Sequence, residues 1–291
     1  MTDATSSIAL RQAHDFYQQH GWYVHDVFSQ DDLDELEYHI ERFYSGEHDR
    51  PLDVLLSRDW TPEKGNVMRQ NDYISLRMDA VREALHRSAI GRIAAALAGT
   101  HAIRLFHDQL ICKPPSAPAT AVGWHTDKAY WATCSSDLMI TAWIPLQDCP
   151  EEIGPLVVVD GSHRWPGSAE AKTFHTQDMA SVQPQVRAAF QTARKVPMAL
   201  KRGQVSFHHC LALHGSYPNK TDRTRLSLSV HLQDSSNRYR RVRGEGGAEA
   251  VHQNDMLCRR DADGAPDYTD PHVFPVLWPH EVNAAIDVPS M

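Results

Sequence analysis

Cysteine is scarce, and the five present, Cys112, Cys134, Cys149, Cys210 and Cys258, form no C-x-x-C pair. An odd number without close spacing excludes a disulfide framework and a thiolate zinc site as the organising feature, and fits a reducing compartment. No eighteen apolar residues run together, which excludes an apolar membrane-spanning helix. The start, MTDATSSIALRQAHDF, lacks a basic segment followed by an apolar one, so an unexported, cytoplasmic protein is expected. Positive charge is also in short supply. The 29 Lys and Arg against 37 Asp and Glu leave −8, so no global field gathers nucleic acid or an anionic membrane. Neither a repeat of tens of residues nor a glycine-rich phosphate loop is visible, which argues against solenoids and doubly wound nucleotide-binding folds.

What remains is an ordinary globular composition, 42% hydrophobic and 23% charged over 291 residues, enough for one large core. Ser29 and Asp32 followed by Leu33, Leu36, Ile40 and Phe43 predict an N-capped amphipathic helix. A second helical stretch runs from Val81 through Leu85, Ile90, Ile93 and Leu97 and ends at Gly99. From about residue 102 the pattern changes to short β-prone runs, Ile103–Cys112, Leu138–Leu146, Pro155–Val159, Gln204–His208 and Leu226–Leu232, divided by Gly, Pro and Asp turns. The expectation is one domain, mainly β with flanking helices: a helical part over 1–101, a β core over 102–234, and an arm over 235–291 folded back on that core. A polar, helix-prone insert over 165–194, broken by Pro184, is a candidate for covering a substrate, as are the arginines 238, 240, 241 and 243, which read first as a solvated loop unless the substrate is anionic.

Histidine is abundant, 18 in all, so spacing and context have to choose among them. In Gly123-Trp124-His125-Thr126-Asp127 an imidazole and a carboxylate stand two positions apart, on one face if the segment is extended. His214, in Leu213-His214-Gly215-Ser216, offers a third ligand, and two histidines with one carboxylate form the facial triad that leaves positions open on Fe(II). His208 and His209 compete with His214 for that place. Arg225, eleven residues after His214, supplies a planar fork suited to gripping a carboxylate bidentately.

The distributed set Lys113-Pro114-Pro115, Trp124-His125-Thr126-Asp127, Thr141-Ala142-Trp143-Ile144-Pro145-Leu146, Gly161-Ser162-His163, Leu213-His214-Gly215-Ser216 and Arg223-Thr224-Arg225 resembles the phytanoyl-CoA dioxygenase family of Fe(II)/2-oxoglutarate oxygenases, over about residues 10–235. The resemblance implies a double-stranded β-helix, a cupin-like jelly roll, with His125, Asp127 and His214 as iron ligands and Arg225 on the distal carboxylate of 2-oxoglutarate. It places Thr141 and Ser216 where a hydroxyl supports the same cosubstrate, and Gln109 and Lys113 on a strand beside it. Trp124, Tyr130 and Trp131 are candidates for the substrate wall. Related halogenating enzymes carry a small residue in place of the carboxylate, so Asp127 points to hydroxylation-type chemistry. The implied reaction consumes O2 and 2-oxoglutarate, releases succinate and CO2, and oxidises a small metabolite or natural-product intermediate. A metal-dependent hydrolase and a non-catalytic metal-binding jelly roll are the competing readings.

Overall fold

The computed structural model describes residues 2–52, 59–115, 120–176, 178–244 and 246–279. The chain enters through α1 (Thr2–His20) and β1 (Trp22–Asp26). Ser29 then caps α2 (Gln30–Tyr44). Its hydroxyl accepts from the Asp32 N–H, and the Asp32 carboxylate accepts from the Ser29 N–H, a complete capping box. β2 (Arg69–Asp72), α3 (Ile74–Arg77), α4 (Asp79–Arg87) and α5 (Ile90–Ala98) follow. The single helix expected through Val81–Leu97 is in fact two, because Ser88 is extended (φ −70°, ψ 163°) and ends α4. Gly99 closes α5 in the left-handed conformation expected of it.

The remaining strands are β3 (Ile103–Lys113), β4 (Val122–His125), β5 (Ile140–Pro145), β6 (Leu156–Val159), β7 (Lys195–Pro197), β8 (Gln204–His209), β9 (His214–Ser216), β10 (Arg225–Asp234) and β11 (Val276–Trp278). α6 (Pro184–Thr192) lies between β6 and β7, and α7 (Asn254–Leu257) precedes β11. Pro184 starts α6 rather than breaking the insert, since at the first helical position its missing N–H leaves no bond unmade. The strands pair antiparallel in two sheets, one ordered β1-β8-β5-β10-β3-β11 with β2 also on β3, the other β4-β9-β6-β7. This is the double-stranded β-helix. All five β runs expected from the sequence are present, as β3, β5, β6, β8 and β10, whereas β1, β2, β4, β7, β9 and β11 lie outside them.

Alternation sorts the larger sheet into two unlike faces. On β10 the residues Leu226, Leu228, Val230 and Leu232 alternate with Arg225, Ser227, Ser229, His231 and Gln233. The apolar set joins Ile140, Ala142, Ile144, Val205 and Phe207 in a core with Leu33, Leu36 and Ile40 of α2 and Ile93 and Leu97 of α5. The polar set is buried as well, turned toward the smaller sheet. Residues of the C-terminal arm close one end: Tyr268 and Phe274 pack on Phe106 and Trp131, and β11 extends the larger sheet. The last part of that arm, 280–291, lies outside the described residues. No helix among the described residues is long and apolar enough to cross a membrane.

The two faces should respond differently to substitution. Leu228→Ala, on the helix-covered face, is expected to lower the unfolding free energy by about 3 kcal/mol, and Ser29→Ala, at the cap, by about 1 kcal/mol. Urea denaturation of both variants checks the ranking.

Candidate metal centre between two cavities

His125 ends β4 and His214 begins β9, and the register pairs the two residues directly. Their rings come to 4.2 Å, centroid to centroid. Each Nδ1 faces the carbonyl oxygen two residues back in its own chain, Gly123 O at 2.8 Å and Ala212 O at 2.9 Å. Carbonyl oxygens only accept, so each Nδ1 carries the proton and each Nε2 presents a lone pair. Burial pushes both imidazoles below their ordinary pKa and keeps them neutral near pH 7. Both Nε2 atoms approach Asp127 Oδ1, at 3.9 Å from His125 and 3.5 Å from His214. One ligand atom from each of the three residues fits within a 4.8 Å span. Three electron pairs thus converge with no proton between them, an arrangement that repels itself unless a cation sits at the centre. Two imidazoles and a carboxylate suit ferrous iron.

Gly123 is required at its position. A Cβ there would overlap the carbonyl oxygens of Thr173 and Thr176, where the strand lies against the insert and the Gly123 N–H donates to Phe174 O at 2.8 Å. The second oxygen of Asp127 is fixed by the Thr141 hydroxyl, which donates to Oδ2 at 2.5 Å and also meets His231 Nδ1 at 2.8 Å. Thr141, expected beside the cosubstrate, is therefore engaged with the carboxylate, although it still lines the inner cavity. His208 shares that side, with Nε2 3.4 Å from Asp127 Oδ2, and among the described residues neither of its nitrogens makes a hydrogen bond. His209 points elsewhere, its Nδ1 accepting from the Leu211 N–H.

A small inner cavity runs from the triad between the sheets, lined by Gln109, Thr141, Trp143, His208, Ser216 and Arg225 among others. Arg225 is 2% exposed. It reaches Gly154 O only at 3.4 Å, lies 5.7 Å from the centre of the Trp143 ring, and leaves Nε unpartnered. Burial lowers its pKa to about 10, still charged at neutral pH. No carboxylate pairs with it among the described residues, so the cavity ends in an uncompensated cation. Lys113 is also buried and donates to Ser216 Oγ and Tyr217 O, both at 2.6 Å. Burial and the nearby Arg225 push it well below the ordinary lysine value. It acts on the cavity through Ser216 rather than lining it.

On the other side the triad opens into a cavity of about 410 Å³. Tyr130 and Trp131 line it as expected, and Gln109 borders both spaces. Trp124 does not: its strand parity turns it onto the back of the smaller sheet, edge-on to Phe190 at 4.9 Å and packed with Val157, Val159 and Leu213. That corrects its placement in the substrate wall. The insert contributes Lys172, Phe174 and His175 to the cavity, while α6 buries Trp124. The arginines 238, 240, 241 and 243 are exposed; Arg240 donates to Ala132 O, and Arg241 and Arg243 pair with Glu249. Asp72, His107, His231 and His252 also line the cavity and were missed from sequence. His231 has the parity of Arg225 on β10, and His107 that of Gln109 on β3, so alternation alone could have found both. Seven of the eighteen histidines border the two spaces, which accounts for much of the unusual count.

The uncompensated guanidinium gives a stability test. Arg225→Met is expected to raise the unfolding free energy of the ligand-free protein by about 1 kcal/mol, because an apolar side chain of similar length replaces a desolvated charge. A loss of several kcal/mol in urea denaturation would mean that the protein alone satisfies the charge.

Residues 17–227 match the phytanoyl-CoA dioxygenase (PhyH) family. The peroxisomal phytanoyl-CoA dioxygenases of Mus musculus and Homo sapiens are each 26% identical to this chain, over 238 and 248 residues. The mouse alignment covers 76% of this chain and 67% of the relative, and the human one 79% and 70%. Among solved structures, the non-heme alpha ketoglutarate dependent carbocyclase SnoK from nogalamycin biosynthesis superposes with a TM-score of 0.69 at 23% identity, over 91% of this chain and 95% of its own. The epimerase SnoN, in complex with Fe3+, alpha ketoglutarate and nogalamycin RO, gives 0.67 at 24%, over 93% and 99%. These two likenesses are of fold. The family match over most of the chain establishes membership: this protein belongs to the phytanoyl-CoA dioxygenase family of Fe(II)/2-oxoglutarate oxygenases.

Proposed function

We propose that the protein oxidises a small molecule, a metabolite or natural-product intermediate, using Fe(II), 2-oxoglutarate and O2, with His125, Asp127 and His214 as the metal ligands. The observation that carries the assignment is the convergence of three unprotonated donor atoms at the junction of two cavities, one of which ends in a buried guanidinium without a counter-ion among the described residues. Iron bound there supplies the redox chemistry that couples decarboxylation of 2-oxoglutarate to succinate and CO2 with oxidation of the substrate.

The chain's own residues do the rest. The carbonyls of Gly123 and Ala212 hold the two imidazoles in the tautomer that leaves Nε2 free. The Thr141 hydroxyl orients Asp127 through Oδ2. Arg225 receives the distal carboxylate of the cosubstrate, with Ser216, itself held by Lys113, beside it. Gln109, Tyr130 and Trp131 border the substrate. Phe174 stands edge-on to His125 at 4.8 Å and shields that ligand from water. The natural-product reading draws support from SnoK and SnoN, both from nogalamycin biosynthesis. A CoA thioester suits the cavity poorly, since among the described residues its wall carries the Asp72 carboxylate and one lysine, the exposed Lys172. A hydrolase needs no buried cation at the far end of a second cavity. Nucleic-acid and membrane partners are not part of the proposal, given the net charge of −8. A single domain is supported by β1 and β11, which add to the larger sheet from outside the central segment. A cytoplasmic location is supported by five buried cysteines, none in a disulfide.

Two measurements test the assignment. Anaerobic addition of Fe(II) and 2-oxoglutarate should give a weak visible charge-transfer band, and Asp127→Ala should lose both the band and succinate release; turnover by that variant at the wild-type rate would refute the ligand set. Arg225→Met should raise KM for 2-oxoglutarate by about a hundredfold, with a smaller effect on kcat; an unchanged KM would remove Arg225 from the cosubstrate site.

A further inference from the structure

The outer cavity carries a charge that holding the metal does not use. Asp72 ends β2 opposite Gln109 of β3 and lines the cavity, with its side chain only 4% exposed. Its neighbours gather on one oxygen: Gln109 Nε2 donates to Oδ1 at 2.9 Å, Gln70 Nε2 at 3.2 Å, and His107 Nε2 stands 3.7 Å away. Among the described residues, Oδ2 accepts no hydrogen bond and no lysine or arginine pairs with the carboxylate. Burial opposes its ionisation, but His107 and the two amides outweigh that effect and hold the pKa below the ordinary value. Lys172 does not serve as counter-ion; it is exposed, 5.1 Å from the centre of the Tyr130 ring. A desolvated carboxylate with free lone pairs facing a cavity is a site for a cationic donor.

The surroundings are built to hold this geometry. Tyr73, next in sequence, takes the left-handed conformation (φ 59°, ψ 43°), rare for a bulky residue. Its hydroxyl donates to Asn254 Oδ1 at 2.6 Å, and Asn254 Nδ2 donates to Phe106 O at 2.8 Å, which ties β2 to the C-terminal arm. The Asn254 N–H donates to His252 Nδ1 at 3.2 Å, so His252, neutral because burial lowers its pKa to about 3, keeps its proton on Nε2. His252 therefore offers the cavity a donor. His107 Nε2, buried and without a hydrogen-bond partner among the described residues, is a further polar atom beside Asp72.

We propose that the outer cavity takes an amine-bearing small molecule, its ammonium seated on Asp72 Oδ2 and a neighbouring oxygen accepting from His252 Nε2–H. The proposal rests on the oxygenase reading above and names the substrate class of that same site.

The test uses the protein loaded with Fe(II) and 2-oxoglutarate and three matched probe pairs: glucosamine and N-acetylglucosamine, tyramine and N-acetyltyramine, 6-aminohexanoate and 6-acetamidohexanoate. Binding is read anaerobically as a shift of the charge-transfer band, and turnover in air as succinate release. At least one amine is expected to outdo its acetylated partner by about tenfold, and Asp72→Asn should bring that ratio to about one while Asp72→Glu retains part of it. The proposal is overturned if no amine of the panel exceeds its acetylated partner in the wild type, or if the preference survives Asp72→Asn. Should the asparagine variant not fold, the wild-type comparison and the glutamate variant decide. Absence of the band before any probe is added sinks the oxygenase reading itself; a band without amine preference sinks only the assignment of Asp72.

Discussion

Electron pairs that converge without a proton between them are the constraint around which this molecule is arranged. His125 and His214 are neutral, each has its one ring proton committed to a backbone carbonyl, and both aim their remaining lone pair at the Asp127 carboxylate. Such a cluster is unfavourable in isolation and persists only because covalent and packing forces hold it. The register of β4 with β9 places the imidazoles together, glycine at 123 lets the strand lie against the insert, and Thr141 fixes the carboxylate from behind. A divalent cation converts the repulsion into coordination, so the energy that the fold spends on preorganisation is recovered on metal binding.

The same logic extends along the larger sheet. Alternating strands commonly turn their polar face to water, yet here that face is interior. Ser206, His208, Ser227, Ser229 and His231 are buried between the sheets, while Val205, Phe207, Leu228 and Val230 pack beneath the helices. The helices thus supply the apolar burial that stabilises the sheet, and leave its inner face free to carry polar groups that a conventional core would not tolerate. Stability and chemistry are assigned to opposite faces of the same strands.

Charge is divided as well. The inner cavity ends at Arg225, a buried cation without a carboxylate partner, and the outer one is bordered by Asp72, a buried carboxylate without a lysine or arginine partner among the described residues. The metal centre lies where the two meet. An anionic cosubstrate and a cationic substrate would each be drawn to its own side and repelled from the other, which orders them around one ion without steric gating.

The amino-acid sequence by itself determined the helix at Ser29 and the five expected β runs, because each is written in a local pattern, a cap or a run of β-prone residues; His125, Asp127, His214 and Arg225 were singled out by the family resemblance that their motifs carry. It did not reveal β7 and β9 as strands, since three residues show no period, and strand parity alone did not separate His208 from His214, a choice that only the family resemblance made. Only the tertiary structure decided that Trp124 belongs to the back of the smaller sheet. It also decided that Thr141 serves Asp127, and that Asp72, His107 and His252, from three distant segments, border one cavity. The physical reason is that a strand's periodicity specifies which side chains share a face, whereas what that face meets is fixed by pairing and burial between segments far apart in the chain.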